Sequence, residues 1–325
     1  MGNLISQSEP TLNLVDLQGK VAIVTGGNSG IGYVTLQHLV RQGAKVYMAS
    51  RNESKVTGAI AQLEAEGMGT KGGMVEWLKL DLDDPRNAKR AAEEFIAKED
   101  RLDILINNAG GGAFPFSLTD DGISKVVVAN YLSAYVFTKC LLPILKTTAA
   151  KPQSDVRIIN VSSMAHGMIG EPVKFDSKES FNVQFSGHFM GMMKRYSLTK
   201  LQQILVLKYL QSQLTAEGVD ITCISVHPGE IMSPGAAQDL PDVAWPLQML
   251  MRAYKAIKFL PVRYGGITPA FAAASIEVAG DKEKYKGAYL IPYGKIEKAS
   301  KEAENPELAK ELYDTTEKIV SDLGI

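Results

Sequence analysis

The sequence predicts an α/β chain built on a doubly wound parallel sheet of about seven strands, with helices on both faces. Short apolar runs alternate with longer stretches of helical spacing from residue 21 onward. The runs are apolar at nearly every position, not at alternate ones, which marks strands buried on both faces. Polar and glycine-rich segments follow them, at the carboxyl ends where such sheets bind ligands.

Residues 21–24 form the first strand and run into Thr25-Gly26-Gly27-Asn28-Ser29-Gly30-Ile31-Gly32. Residues 30–43 have helical spacing and stop on Gly43. Strand 44–50 leads to an alanine- and charge-rich helix over 53–67, strand 75–81 to a helix over 86–98. Strand 104–106 ends in Asn107-Asn108-Ala109-Gly110, and a long helix covers 120–146. Strand 156–161 ends in Ser162-Ser163. A helix over 195–217 precedes strand 219–226, which ends in His227-Pro228-Gly229; residues 288–291 form the seventh strand. Segments 175–193 and 232–262 interrupt the alternation. The domain reading is an N-terminal extension, 1–17, and one catalytic domain, 18–325, with insertions near 164–194 and 232–262.

Composition narrows the function classes. The 325 residues carry 35 basic and 36 acidic side chains, so no charge excess points to nucleic acid. Cys140 and Cys223 lie far apart in apolar surroundings and read as reduced thiols of an intracellular protein. His38, His166, His188 and His227 lack metal-ligand spacing, so no metal is expected. No apolar run reaches the ~18–20 residues of a membrane span. The expected location is cytoplasmic. Met1-Gly2-Asn3-Leu4-Ile5-Ser6 fits the lax myristoylation pattern, which would make the protein peripheral to a membrane.

The chemistry centres on Tyr196-Ser197-Leu198-Thr199-Lys200. Positions i and i+4 share a helix face, so phenol and ammonium are neighbours. A cation beside a tyrosine lowers its pKa toward neutrality, which suits proton exchange with a carbonyl or alcohol oxygen. The glycines at 26, 30 and 32 allow a tight turn and close approach of backbone to pyrophosphate at a helix N-terminus. Each remaining signal has a plain alternative. Asn130 reads equally as a satisfied structural amide. Ser162-Ser163 reads as a cap, and His227-Pro228-Gly229 as a turn.

Together and in this order these segments resemble the short-chain dehydrogenase/reductase family, with its Rossmann-type sheet. The resemblance spans about residues 18–295 and is closest to the retinol-dehydrogenase-like branch and its fungal relatives. It implies that Tyr196 is the general acid/base and that Lys200 tunes it and holds the nicotinamide ribose. It implies that Ser163 binds the substrate oxygen, strand alternation pointing only one of Ser162 and Ser163 into the site. Asn130 matches the asparagine that positions a water in a proton relay to Lys200. Gly26, Asn28, Ser29, Gly30, Ile31 and Gly32 match the cofactor turn. Asp81 and Asn108 match positions lining the adenosine, and Leu82, Ala109 and Gly110 join them as cofactor-binding residues. Pro228, Gly229, Ile231 and Ser233 match the loop over the nicotinamide, Ser233 replacing the common threonine. The implied reaction is hydride transfer between nicotinamide and a carbonyl or alcohol.

The second strand ends in Ser50-Arg51-Asn52, with no acidic residue to bond a ribose 2′-hydroxyl, so NADP(H) is expected over NAD(H). Phe175, Phe181, Phe185, Phe189, Met190, Met192 and Met193 read either as a small core of their own or as a wall of the substrate pocket. Leu247, Leu250, Met251, Tyr254 and Ile257 share a helical face beside Arg252, Lys255 and Lys258. That helix reads as a cover over the pocket or as a contact with an anionic membrane surface. The expected substrate is a bulky apolar alcohol or carbonyl compound of secondary metabolism, such as a terpenoid, steroid, retinoid or polyketide. A homodimer through helices 120–146 and 195–217 is expected unless the insertions block it. The rival function is a non-catalytic dinucleotide-binding redox sensor, which would have no need of Tyr196 beside Lys200.

Overall fold

The computed structural model describes residues 10–112, 115–237 and 245–325, so the Gly2 pattern lies outside the described residues. Eight strands form one sheet in the order β3-β2-β1-β4-β5-β6-β7-β8. They are β1 (Val21–Thr25), β2 (Lys45–Ser50), β3 (Met74–Lys79), β4 (Ile104–Asn107), β5 (Val156–Val161), β6 (Ile221–Val226), β7 (Tyr289–Ile291) and β8 (Lys295–Glu297). β1 to β7 are parallel, as predicted; β8 is an eighth, antiparallel strand. It follows a short turn and its three residues are exposed, so it leaves no continuous apolar signal.

The principal helices are α1 (Gly30–Arg41), α2 (Glu53–Glu66), α3 (Pro85–Lys98), α4 (Lys125–Ala149), α5 (His188–Ala216), α6 (Trp245–Lys258), α7 (Ile267–Ala274) and α8 (Pro306–Asp322). Asn52 and Asp84 cap α2 and α3 by accepting the backbone N–H of Lys55 and Arg86. Successive strand residues feed opposite faces. Leu105 and Ile158 join α3, α4, α5 and α8 in one core, whereas Ile106 and Ile159 join α1, α2 and α7 in the other.

α4 contains a π-helical turn at Val128–Leu132, and α5 begins at His188, seven residues before the predicted start. The second interruption holds α6, and the first a short 3₁₀ turn at Lys178–Phe181. By length and composition α4 is apolar enough to cross a membrane, contrary to the sequence expectation. Most of that stretch is buried, against the sheet and α3.

α8 lies on α5 and reaches α4. Tyr131 hydroxyl bonds Thr316 at 2.8 Å, Tyr135 hydroxyl donates to Glu317, and Lys139 pairs with Glu317 at 2.7 Å. Tyr209 and Tyr313 stack with ring centroids 4.6 Å apart. The helix faces expected to pair two copies are therefore partly covered by the chain's own C-terminal helix, and the first insertion adds Phe181, whose ring lies 6.1 Å from that of Tyr131. A cavity of about 250 Å³ remains between α4 and α5, edged by Tyr313.

Candidate active site

The first turn is held by close packing. A Cβ on Gly32 would stand 2.4 Å from Gly26 carbonyl oxygen and 2.5 Å from Asn108 Nδ2, so only glycine fits. Gly26 and Gly30 have positive φ, at 67° and 58°. Thr25 ties this turn to the segment after β4: its hydroxyl accepts the backbone N–H groups of Asn108 and Ala109, and its carbonyl accepts Asn108 Nδ2.

These turns border a cleft of about 520 Å³. Of the predicted cofactor residues, Gly26, Ser29, Gly30, Ile31, Ser50, Arg51, Asp81, Leu82, Asn108, Ala109, Gly110 and Ser233 line it. The N-terminus of α1 opens on Ser29, which suits a pyrophosphate. The cleft also takes in Asp83, Gly111, Ala129, Pro234 and Gly235, which sequence reasoning missed. Only their position beside predicted residues could have indicated them.

Other predicted residues support the cleft without lining it. Asn28 accepts the Ser50 hydroxyl at 2.9 Å, and Asn52 is spent as a helix cap. Gly32 serves packing. Pro228 is buried, Gly229 takes a φ of 101° against Pro292, and Ile231 sits in a small apolar cluster with Tyr264 and Ile267. The sequence could not separate these roles, because a loop's backbone path decides which side chains face the ligand.

The predicted catalytic residues do converge. Ser162 is buried and donates its hydroxyl to Lys200 carbonyl oxygen at 2.9 Å, which pins α5 to the end of β5. Ser163, on the opposite face, caps the 3₁₀ turn that follows by accepting the Ala165 N–H at 3.2 Å, and its hydroxyl acts on the Tyr196 phenol, favouring the ionised form. Of the two serines, Ser163 is therefore the one on the Tyr196 side, and it also serves as the cap that the sequence offered as the plain alternative. Asn130 side chain is fixed by Gly111 N–H at 2.8 Å and by Thr199 hydroxyl at 3.2 Å. The π-helical turn that carries Asn130 is where such local deviations often mark function.

Lys200 is buried. Its ammonium donates to Val161 carbonyl oxygen at 2.9 Å and to Gln203 Oε1 at 3.0 Å. It lies over the Tyr196 ring, 5.6 Å from the centroid. Burial pushes the lysine down to about 8. Burial also raises the Tyr196 phenol, and the neighbouring Ser163 hydroxyl opposes the rise. This corrects the sequence expectation of a tyrosine lowered by Lys200. The ammonium is tethered to Val161 and Gln203 and faces the ring, so in the protein by itself desolvation wins over attraction.

The flanking segments divide. Phe175 and Phe181 belong to the main core, and Phe185 packs against it. Met192, Phe189 and Met193 form a small cluster of their own, while Met164, Met168 and Met190 are exposed. α6 turns half-buried Gln248, Met251 and Lys255 toward the protein and presents Trp245, Leu250 and Ile257 to solvent at 76, 66 and 69% exposure. Its apolar face is therefore largely open to solvent, with Met251 alone of the five predicted apolar residues turned inward.

A strand–glycine turn–helix that opens on a cleft, with half-buried Ser163 and Tyr196 and buried Lys200 beside it, defines a dinucleotide-type oxidoreductase site. The family model for short chain dehydrogenases matches residues 20–174. The chain is 44% identical over 308 residues to a short-chain dehydrogenase/reductase of Armillaria gallica, covering 95% of each. It is 39% identical to an oxidoreductase of Schizosaccharomyces pombe over 96% of this chain and 88% of the other. Among solved structures, a Mycobacterium paratuberculosis protein matches with TM-score 0.69 at 25% identity, covering 97 and 98% of the two chains. The Pseudomonas aeruginosa RhlG/NADP active-site complex matches with TM-score 0.61 at 25% identity, covering 85 and 95%. The chain belongs to the short-chain dehydrogenase/reductase family, oxidoreductases acting on alcohol and carbonyl groups.

Proposed function

We propose that this protein is an NADP(H)-dependent oxidoreductase that interconverts a carbonyl and an alcohol on a bulky apolar substrate, with Tyr196 as general acid/base. The observation that carries the reading is the convergence of Ser163, Tyr196 and Lys200 beside the cleft. The dinucleotide, when bound, supplies or accepts the hydride. The chain's own residues hold the oxygen and move its proton: Ser163 donates to the substrate oxygen, and Tyr196 exchanges the proton with it. Lys200, already deprived of solvent, keeps its positive end beside the phenol. A redox sensor without turnover would have no use for this group. Tyr196→Phe should retain cofactor binding, measured by NADPH fluorescence, and lose turnover by at least ~100-fold. A folded Tyr196→Phe protein with near-normal turnover would sink the mechanism.

Cofactor choice follows from the end of β2. Arg51 pairs there with Asp83 at 2.7 Å, both side chains 65% exposed, so the pair is worth little and the guanidinium can turn to a 2′-phosphate. The NADP named with the RhlG structure is in keeping with this. Arg51→Ala should weaken NADPH by about 10-fold and leave NADH nearly unchanged, the scale of one charge-assisted contact. Equal loss for both cofactors would contradict it.

The apolar substrate is supported by the exposed Met164, Met168 and Met190 near Ser163 and the start of α5. We expect kcat/KM to rise with apolar size across a series of carbonyl substrates, at about 25 cal/mol per Å² buried. Best turnover on a small polar member would refute this.

α6 supports a second element of the reading, a cytoplasmic protein that touches a membrane surface. The helix carries exposed Trp245, Leu250 and Ile257, the cations Arg252, Lys255 and Lys258, and no acidic residue. If two copies associate, the cavity between α4 and α5 is the part of the helix face that α8 leaves to them. The wild type should co-sediment with vesicles containing phosphatidylserine, and Leu250→Glu/Ile257→Glu should not. Absence of wild-type binding removes the membrane contact.

A further inference from the structure

Gln203 lies one helical step beyond Lys200 and is almost fully buried. Its Oε1 accepts the Lys200 ammonium at 3.0 Å, and its Nε2 donates to the main-chain carbonyl of Asn130 at 2.7 Å. The two contacts fix the amide's orientation, because a carbonyl can only accept and an ammonium can only donate. The amide thus joins the lysine of α5 directly to the π-helical turn of α4. This is the place at which the family resemblance implies a bound water between Lys200 and Asn130.

We propose that Gln203 is a positioning residue that stands in for that water, holding the Lys200 ammonium in place so that its remaining N–H points to the reacting groups. An ammonium has three donors. Val161 carbonyl and Gln203 take two of them. The third is directed by the first two, toward the Tyr196 ring and toward Gly110, where a Cβ would come within 3.5 Å of the ammonium nitrogen. An amide passes a proton on far less readily than a water does. The bridge therefore anchors the lysine and does not relay protons through Asn130.

Other glutamine roles fit less well. A purely structural glutamine could bond any backbone pair, yet this one spends its acceptor on the catalytic lysine. Its neighbour Gln202 is equally buried, but neither atom of its amide has a partner among the described residues. Burial alone displaces Lys200, and no charged neighbour contributes to the shift; the titratable group facing it is Tyr196. A change at position 203 should therefore be read out directly by the lysine.

The inference rests on Lys200 serving the reaction proposed above, so the test separates the two. In cofactor-free, full-length protein carrying lysine labelled with ¹³C at Cε, the Lys200 resonance is identified by its loss in Lys200→Arg and titrated. Gln203→Leu removes the acceptor and should move the midpoint to lower pH. Gln203→Glu supplies a carboxylate and should move it to higher pH, each by on the order of one pH unit. Gln203→Leu should also lower kcat about 10-fold, the scale of misplacing a catalytic group slightly. Unchanged midpoints, or shifts of the same sign in both variants, would overturn the proposal. If Gln203→Leu fails to fold, Gln203→Glu decides it: an upward shift supports the bridge and an unmoved midpoint rejects it. Opposite shifts combined with an active Tyr196→Phe protein would uphold the bridge and defeat the catalytic reading instead.

Discussion

The site depends on polar side chains buried where α5 crosses the carboxyl ends of β4 and β5. Asn107 donates to Thr138 and to Asn160, and Asn160 donates to the Gln203 carbonyl. Ser162 donates to the Lys200 carbonyl, and Lys200 to that of Val161. Apolar packing alone would tolerate sliding of a helix along a sheet. Buried hydrogen bonds do not, because each donor or acceptor left without a partner costs about 1–3 kcal/mol. These bonds fix the axial position and rotation of α5, and so the direction in which Tyr196 and Lys200 leave it.

The same logic governs the other half of the cleft, with backbone in place of side chains. Thr25 collects two N–H groups from the segment after β4 and gives its carbonyl to Asn108. Gly32 lets α1 press onto that junction at a distance no side chain would permit. The glycines and the Asn-Asn-Ala-Gly segment are therefore one packed object. Part of their pattern reflects contact with each other, and only part reflects contact with a ligand.

That distinction sets how far the sequence could be read. Strands buried on both faces announce themselves by unbroken apolar runs, which is why β1, β4, β5 and β6 were legible within a residue or two. β8 was not, because a three-residue exposed edge strand carries no such run. The meeting of Ser163, Tyr196 and Lys200 was legible because motif order and strand ends converge on one edge of the sheet. The pKa balance was not. Helical spacing brings the phenol and ammonium close but says nothing of Val161 and Gln203, which hold the lysine over the ring. Gln203 had only its i+3 spacing from Lys200 to mark it, and its Asn130 partner lies 73 positions away.

His166 shows how the C-terminal segment enters this framework. Its Nε2 accepts the backbone N–H of Ser300 at 3.0 Å, so that nitrogen carries no proton. The proton must sit on Nδ1, which then donates to Ser163 carbonyl at 2.7 Å. Burial disfavours the charged ring, in keeping with a neutral tautomer locked from both sides. Ser163 is thereby held at its hydroxyl by the Ala165 N–H and at its carbonyl by His166. Ser300 stands in the segment that leads into α8, and α8 in turn packs on α5, the helix that carries Tyr196. The serine and the tyrosine are thus referenced to one C-terminal element by two separate routes. Their separation is set by this C-terminal segment together with the loop between β5 and α5, which Arg195 ties to α5 through the Gln184 carbonyl.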